Sequence, residues 1–125
     1  MTPKGTLDYD KHMQANLVRV FNERDATKRL AAIKDLYTED ATLFEPESAV
    51  TGRHAINGAV TALLAGLPGL AFTPIGPASG HHDLGRLRWQ SGPPGGPAVV
   101  TGMDVARFEG GLIETLHVFV EASGT

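Results

Sequence analysis

The sequence predicts an α+β domain in which three helices lie on one face of a curved antiparallel sheet. Apolar residues recur at helical spacing through the first half of the chain and at a period of two from Leu70 onward. Glycine- and proline-rich breaks divide the second half at short intervals, so neighbouring strands there run antiparallel. The 125 residues suit a single domain, and a domain of that size buries roughly two-thirds of the surface its unfolded chain exposes.

Residues 1–7 read as a loose arm. Asp8 is placed to cap a first helix whose apolar stripe is Met13, Leu17, Val20 and Phe21. After a polar break from Asn22 to Asp25, Leu30, Ile33, Leu36 and Tyr37 repeat the stripe on a second helix, which makes a helical hairpin. Thr38-Glu39-Asp40 ends it. Ala41 to Glu45 then reads as a short strand stopped by Pro46, which has no amide hydrogen for a ladder. Glu47 to Gly52 reads as a polar loop. A third helix follows from Arg53 to about Ala65 and buries Ala55, Ile56, Ala59, Val60, Leu63 and Leu64; Gly66 before Leu67-Pro68 reads as a stop of the left-handed type. Leu70 to Thr73, Leu84 to Gln90, Ala98 to Phe108 and Leu112 to Glu121 are the strands of a meander, separated by Gly76-Pro77, Ser91 to Pro97 and Glu109-Gly110-Gly111.

The strand from Ala98 to Phe108 carries the first functional candidate. With a period of two, Ala98, Val100, Gly102, Asp104, Ala106 and Phe108 share one face, and Asp104 is the only charge on it. A buried carboxylate needs a polar partner or a proton, because an isolated ionised one is costly in a low-dielectric site. Asp104 is therefore either an acid, base or ligand anchor, or the partner of a buried arginine such as Arg86 or Arg88. The last strand is apolar on both faces, with Leu112, Leu116, Val118 and Val120 on one and Ile113, Thr115, His117 and Phe119 on the other. Helices cover only one face. The other, with Val99, Met103 and Val105 beside it, calls for a homodimer through the sheet.

Composition excludes several classes of function. A net charge of −3, with no run of Lys or Arg, argues against nucleic acid or an anionic membrane surface as partner. There is no cysteine, hence no disulfide, thiolate nucleophile or cysteine-based zinc site. The opening MTPKGTLDYDKH lacks the apolar run of a signal peptide and no segment reaches the ~18 apolar residues of a membrane span, so a cytoplasmic protein is expected. His81 and His82, as adjacent strand residues, point to opposite faces, and no third ligand stands at a completing spacing; no metal site is expected, and one of the pair is instead a candidate for the mouth of a pocket, as general base or hydrogen-bond donor. SGPPGGP lacks the Lys-Ser/Thr of a phosphate loop and reads as a hairpin turn, and no serine sits in a Gly-x-Ser-x-Gly elbow.

In order along the chain, the helix pair, LYTEDATLFEP, the loop to TGRHAI, the Pro/Gly break and the closing hairpin TGMDVARFEGGLIETLHVFV resemble the nuclear transport factor 2-like superfamily, in its SnoaL-like and ketosteroid-isomerase-like branch. The resemblance implies a cone whose sheet wraps around the helices and leaves an apolar pocket, in a superfamily that hosts isomerases, cyclases, dehydratases, epoxide hydrolases and non-catalytic members. It puts Glu45 where the isomerases keep a proton-shuttling aspartate and Asp104 where they keep a protonated aspartic acid. Leu17 stands at or next to the place of their oxyanion tyrosine, and Gly102 stands where the epoxide hydrolases carry arginine. Expected pocket residues beside Asp104 and Glu45 are Leu17, Tyr37, Phe44, Trp89, Phe108, Val118 and His82. The resulting expectation is a small apolar-ligand-binding protein, possessing no cofactor, in which Asp104 and Glu45 do acid-base chemistry of isomerase, cyclase or dehydratase type. The alternative is a non-catalytic ligand-binding or dimeric assembly domain in which Asp104 is structural.

Overall fold

The computed structural model describes residues 7–122, so all of the N-terminal arm except Leu7 lies outside the described residues. Asp8 caps helix α1 (Tyr9–Asn16) by accepting from the Lys11 amide at 3.0 Å. The helix does not stop at Asn16. It widens into one π turn over Leu17–Phe21, closed by the Asn22 amide on the Leu17 carbonyl at 3.0 Å. That turn buries Leu17, Val20 and Phe21 while Val18 faces solvent. Helix α2 (Ala26–Leu36) is capped by Asp25, and helix α3 is Arg53–Ala65.

One cation ties α2 to α3. Arg29 is buried on the same face as Ala32, Ile33 and Leu36, and its guanidinium donates to the Glu23 carbonyl, to Asn57 and to Thr61. Burial lowers its pKa, opposed by the nearby charges of Glu23 and Asp25. Arg24 closes the end of α3 by donating to the carbonyls of Leu64, Leu67 and Leu70. Gly66 is accordingly not left-handed, with φ −83°; Gly69, with φ +75°, is the residue there that needs the left-handed region.

Among the described residues seven strands form one sheet: β1 (Tyr37–Glu45), β2 (Ser48–Thr51), β3 (Ala71–Pro74), β4 (Ser79–His81), β5 (Leu84–Gly92), β6 (Val100–Glu109) and β7 (Leu112–Ala122). Their order is β2-β1-β7-β6-β5-β3, with β4 also on β5, so the sheet curves over the helices without closing. It is mixed rather than wholly antiparallel, because β1 and β7 pair in parallel. Short turns dictate antiparallel neighbours only for strands adjacent in sequence, and β1 and β7 are joined by most of the chain. Tyr37 opens β1 instead of closing α2, and the expected loop after Pro46 folds back as β2 on β1.

Period-two reasoning fails at the start of β7. The register runs from Arg107 opposite Thr115 to Phe108 opposite Ile113, so Glu114 is a bulge. The bulge turns Ile113 into the core with Leu116, not onto the outer face where strict alternation puts it. Met13, Ile33, Tyr37, Leu43, Ile56 and Leu116 make the centre of that core. No helix among the described residues is long and apolar enough to cross a membrane.

Candidate active site

The site is built around Asp104, which lies mid-strand in β6 between Leu87 of β5 and Val118 of β7 and faces the helices. It is 3% exposed. Its Oδ1 accepts from the Trp89 indole N–H at 2.9 Å. Burial raises its pKa to about 7, against the opposing effect of the Trp89 hydrogen bond. Arg86 and Arg88 alternate with the inward residues of β5 and lie exposed on the outer face, so neither pairs with Asp104.

Gly102 makes this arrangement possible. It stands opposite Trp89 in the β5–β6 register, and a Cβ there would come within 2.3 Å of both the indole and the Phe119 carbonyl. The missing side chain is the space into which the indole lies to reach Asp104.

Asp104 forms part of the wall of a partly enclosed cavity of about 220 Å³. Leu17 and Phe21 line it from the π turn, Leu63 from the end of α3, Leu67 from the stretch just after that helix, and Phe72 and Trp89 from β3 and β5. Val100, Val118 and Val120 complete the sheet side, with Pro46 and Glu45 at the end of β1. Pro46 and Val120 are the solvent-exposed members and mark the open side. Glu45 is half-buried; burial raises its pKa, and a hydrogen bond with Ser48 works the other way.

Of the residues singled out in the sequence, Asp104, Glu45, Leu17, Trp89 and Val118 thus meet at one cavity. Tyr37 lies behind it: fully buried, its hydroxyl donates to Asn16 Oδ1 at 2.5 Å. Its pKa is raised well above the usual phenol value by burial first and the Asp104 charge second. Phe44, Phe108 and His82 are elsewhere. Leu43 and Glu45 face inward, so Phe44 faces out and stacks on His117 with ring centroids 4.5 Å apart. Phe108 lies four residues down β6 from Asp104, packed edge-on against Tyr9 at 5.7 Å. His82 is exposed in the β4–β5 turn with φ +51°, which brings its Nδ1 to 2.8 Å from that of His81 instead of sending the two rings to opposite faces. No group of three or more metal-ligating side chains occurs among the described residues.

Phe21, Phe72, Leu63, Leu67, Val100 and Val120 are cavity residues that core and strand patterns leave undistinguished from packing. Val120 had a signal, since it shares a strand face with Val118. Asn16, which holds the Tyr37 hydroxyl behind the cavity and does not line it, had one too: with Met13, Leu17 and Val20 it completes a helical stripe, a polar residue at a buried position.

The chain matches the family model described as SnoaL-like domain over residues 15–115. Among solved structures it resembles a protein of the SnoaL-like family from Agrobacterium tumefaciens str. C58, provisionally described as an isomerase. The TM-score is 0.85 at 24% identity, with 91% of this chain and 97% of that one covered. A protein from Sinorhizobium meliloti, provisionally a polyketide cyclase, has a TM-score of 0.67 at 16% identity over 86% of this chain and 93% of its own. One from Kribbella flavida DSM 17836, provisionally a ketosteroid isomerase, has a TM-score of 0.70 at 15% identity over 94% of this chain and 80% of its own. At these identities the likeness is one of fold. No curated protein matches the chain.

Proposed function

We propose, since this chain belongs to the SnoaL-like domain family, that the cavity binds a small apolar organic molecule on which Asp104 and Glu45 move a proton without a cofactor, in a reaction of isomerase, cyclase or dehydratase type. The observation that carries this reading is Asp104 itself: a buried carboxyl in the wall of an apolar cavity, with its pKa near 7. Such a group divides between acid and base at neutral pH, the condition under which one side chain both gives and takes a proton efficiently. The Trp89 N–H holds one carboxyl oxygen, and Oδ2 has no hydrogen bond among the described residues. Glu45 lines the same cavity but is half-buried, its pKa raised by burial against a hydrogen bond with Ser48, so the two carboxyls differ in environment as an acid and base on one substrate must.

Deuterium uptake tests the reading. Candidate ketones incubated with the protein in D2O are followed by NMR at the carbon next to the carbonyl. Wild type is expected to accelerate exchange, Asp104→Asn to lose about two orders of magnitude or more, and Glu45→Gln to lose less. Equal exchange with wild type and Asp104→Asn would favour the second reading, a binding domain in which the Trp89–Asp104 bond only joins β5 to β6.

We further infer a homodimer through the outer face of the sheet. Phe119, 55% exposed, lies there with the half-buried Met103 and Val105, an apolar strip bordered by Arg86 and Arg88 that a monomer leaves in water.

A further inference from the structure

Resting on that reading of the cavity, we propose that its ligand is a compact, flat, uncharged molecule of roughly ten to twelve non-hydrogen atoms, in place of a tetracyclic compound or an organic acid. Size is the first argument. The cavity, about 220 Å³, is smaller than most ligand sites, which run from about 300 to 1,000 Å³. Filled at the density of a protein interior it takes on the order of ten non-hydrogen atoms. A four-ring molecule would leave much of its apolar surface in water.

Charge is the second. The lining holds two carboxyl groups and no lysine, arginine or histidine. An anionic ligand would shed its hydration beside Glu45 with no counter-charge to meet it. A cationic ligand seated at Asp104 would need that carboxyl ionised deep in a wall of carbon, the form that burial disfavours, and the remaining carboxyl, Glu45, stands beside the exposed Pro46 at the end of β1, away from the aromatic wall. An uncharged ligand bearing a carbonyl accepts a hydrogen bond from the protonated carboxyl and requires no buried charge at all.

Shape is the third. Phe72 stands edge-to-face with Phe21 on one side, at 6.1 Å, and with Trp89 on the other, at 5.2 Å. All three line the cavity, an aromatic wall that suits a flat ring.

Trp89 is the single tryptophan of the chain and lies in the cavity wall, so its fluorescence reports the site directly. Four probes are titrated at pH 7: α-tetralone, tetralin carboxylate, aminotetralin and progesterone. The expected result is saturable quenching by α-tetralone, with binding at least about tenfold tighter than for the other three. Leu63→Phe, which fills the cavity from α3, is expected to abolish that quenching, and Leu67→Phe to do so from the half-buried stretch after the helix. Progesterone or tetralin carboxylate binding as tightly as α-tetralone would overturn the assignment of size or charge while leaving the cavity as the ligand site. Aminotetralin binding tightest would overturn the uncharged ligand in favour of a cation. Quenching by none of the four would overturn the proposal and the functional reading beneath it together.

Discussion

At the scale of the residue, Asp104 makes stability depend on pH with a definite sign. Its folded pKa of about 7 lies above the 3.8 of a free aspartate, so between those values the folded state holds a proton that the unfolded state has released. Stability from this group is therefore full below about pH 4, falls as pH rises to about 7, and levels off above it. The whole loss is about 4 kcal/mol. The rise at Glu45 adds to the loss with the same sign. Asp104→Asn keeps an oxygen to accept from Trp89 and removes the ionisation. Urea unfolding is expected to find this variant more stable than wild type at pH 8, by a few kcal/mol, with a much smaller gap at pH 5. A variant less stable than wild type at both pH values would make Asp104 a structural group. Arg29 is the contrasting residue: a buried cation whose worth lies in the carbonyls and side chains it satisfies. Arg29→Met strands the Glu23 carbonyl and the Asn57 and Thr61 side chains, and denaturant unfolding should show a loss of about 2 kcal/mol or more.

At the scale of the element, β5 and β6 act as a unit because a glycine on one accepts an indole from the other. Gly102→Ala puts a methyl group into the space of the Trp89 ring and against the Phe119 carbonyl of β7. Overpacking of this kind costs about 1–3 kcal/mol. The ring is expected to swing off Asp104, read as a shift of Trp89 emission together with a lower unfolding midpoint. Unchanged emission and midpoint would mean that the sheet yields there without strain. The π turn at the end of α1 works in the opposite direction, adding a residue to a helix and so placing both Leu17 and Phe21 on the cavity.

At the scale of the whole molecule, the helices cover one face of the sheet and leave the other bare. Phe119 is the largest exposed apolar side chain on it, flanked by Met103 across the β6–β7 ladder. Sedimentation velocity at micromolar concentration is expected to show two chains per particle for wild type and one for Phe119→Glu, with the far-UV circular dichroism unchanged. A monomeric wild type would remove the dimer from the account. Because Phe119 faces away from Asp104, the same variant should keep its response to α-tetralone, which separates assembly from binding.

The sequence by itself determined the features that depend on near neighbours. Asp8 caps α1 through an amide three residues away, the stripes of α1, α2 and α3 follow helical spacing, and the Gly110-Gly111 turn joins β6 to β7, so alternation along β6 sends Asp104 inward. Tertiary structure decided what required residues distant in the chain to meet. Trp89 reaches Asp104 only because Gly102 is opposite it, and β1 runs parallel to β7 although no short turn connects them. The Glu114 bulge reverses Ile113, and the β4–β5 turn brings His81 and His82 together. Phe44 and Phe108 are excluded from the cavity by the side of the strand and the distance along it, while Phe21 and Phe72 are admitted by the π turn and the sheet's curvature. Periodicity is a property of a few consecutive residues and is written in them. A cavity is the space left over when all the elements have packed, and no short stretch contains it.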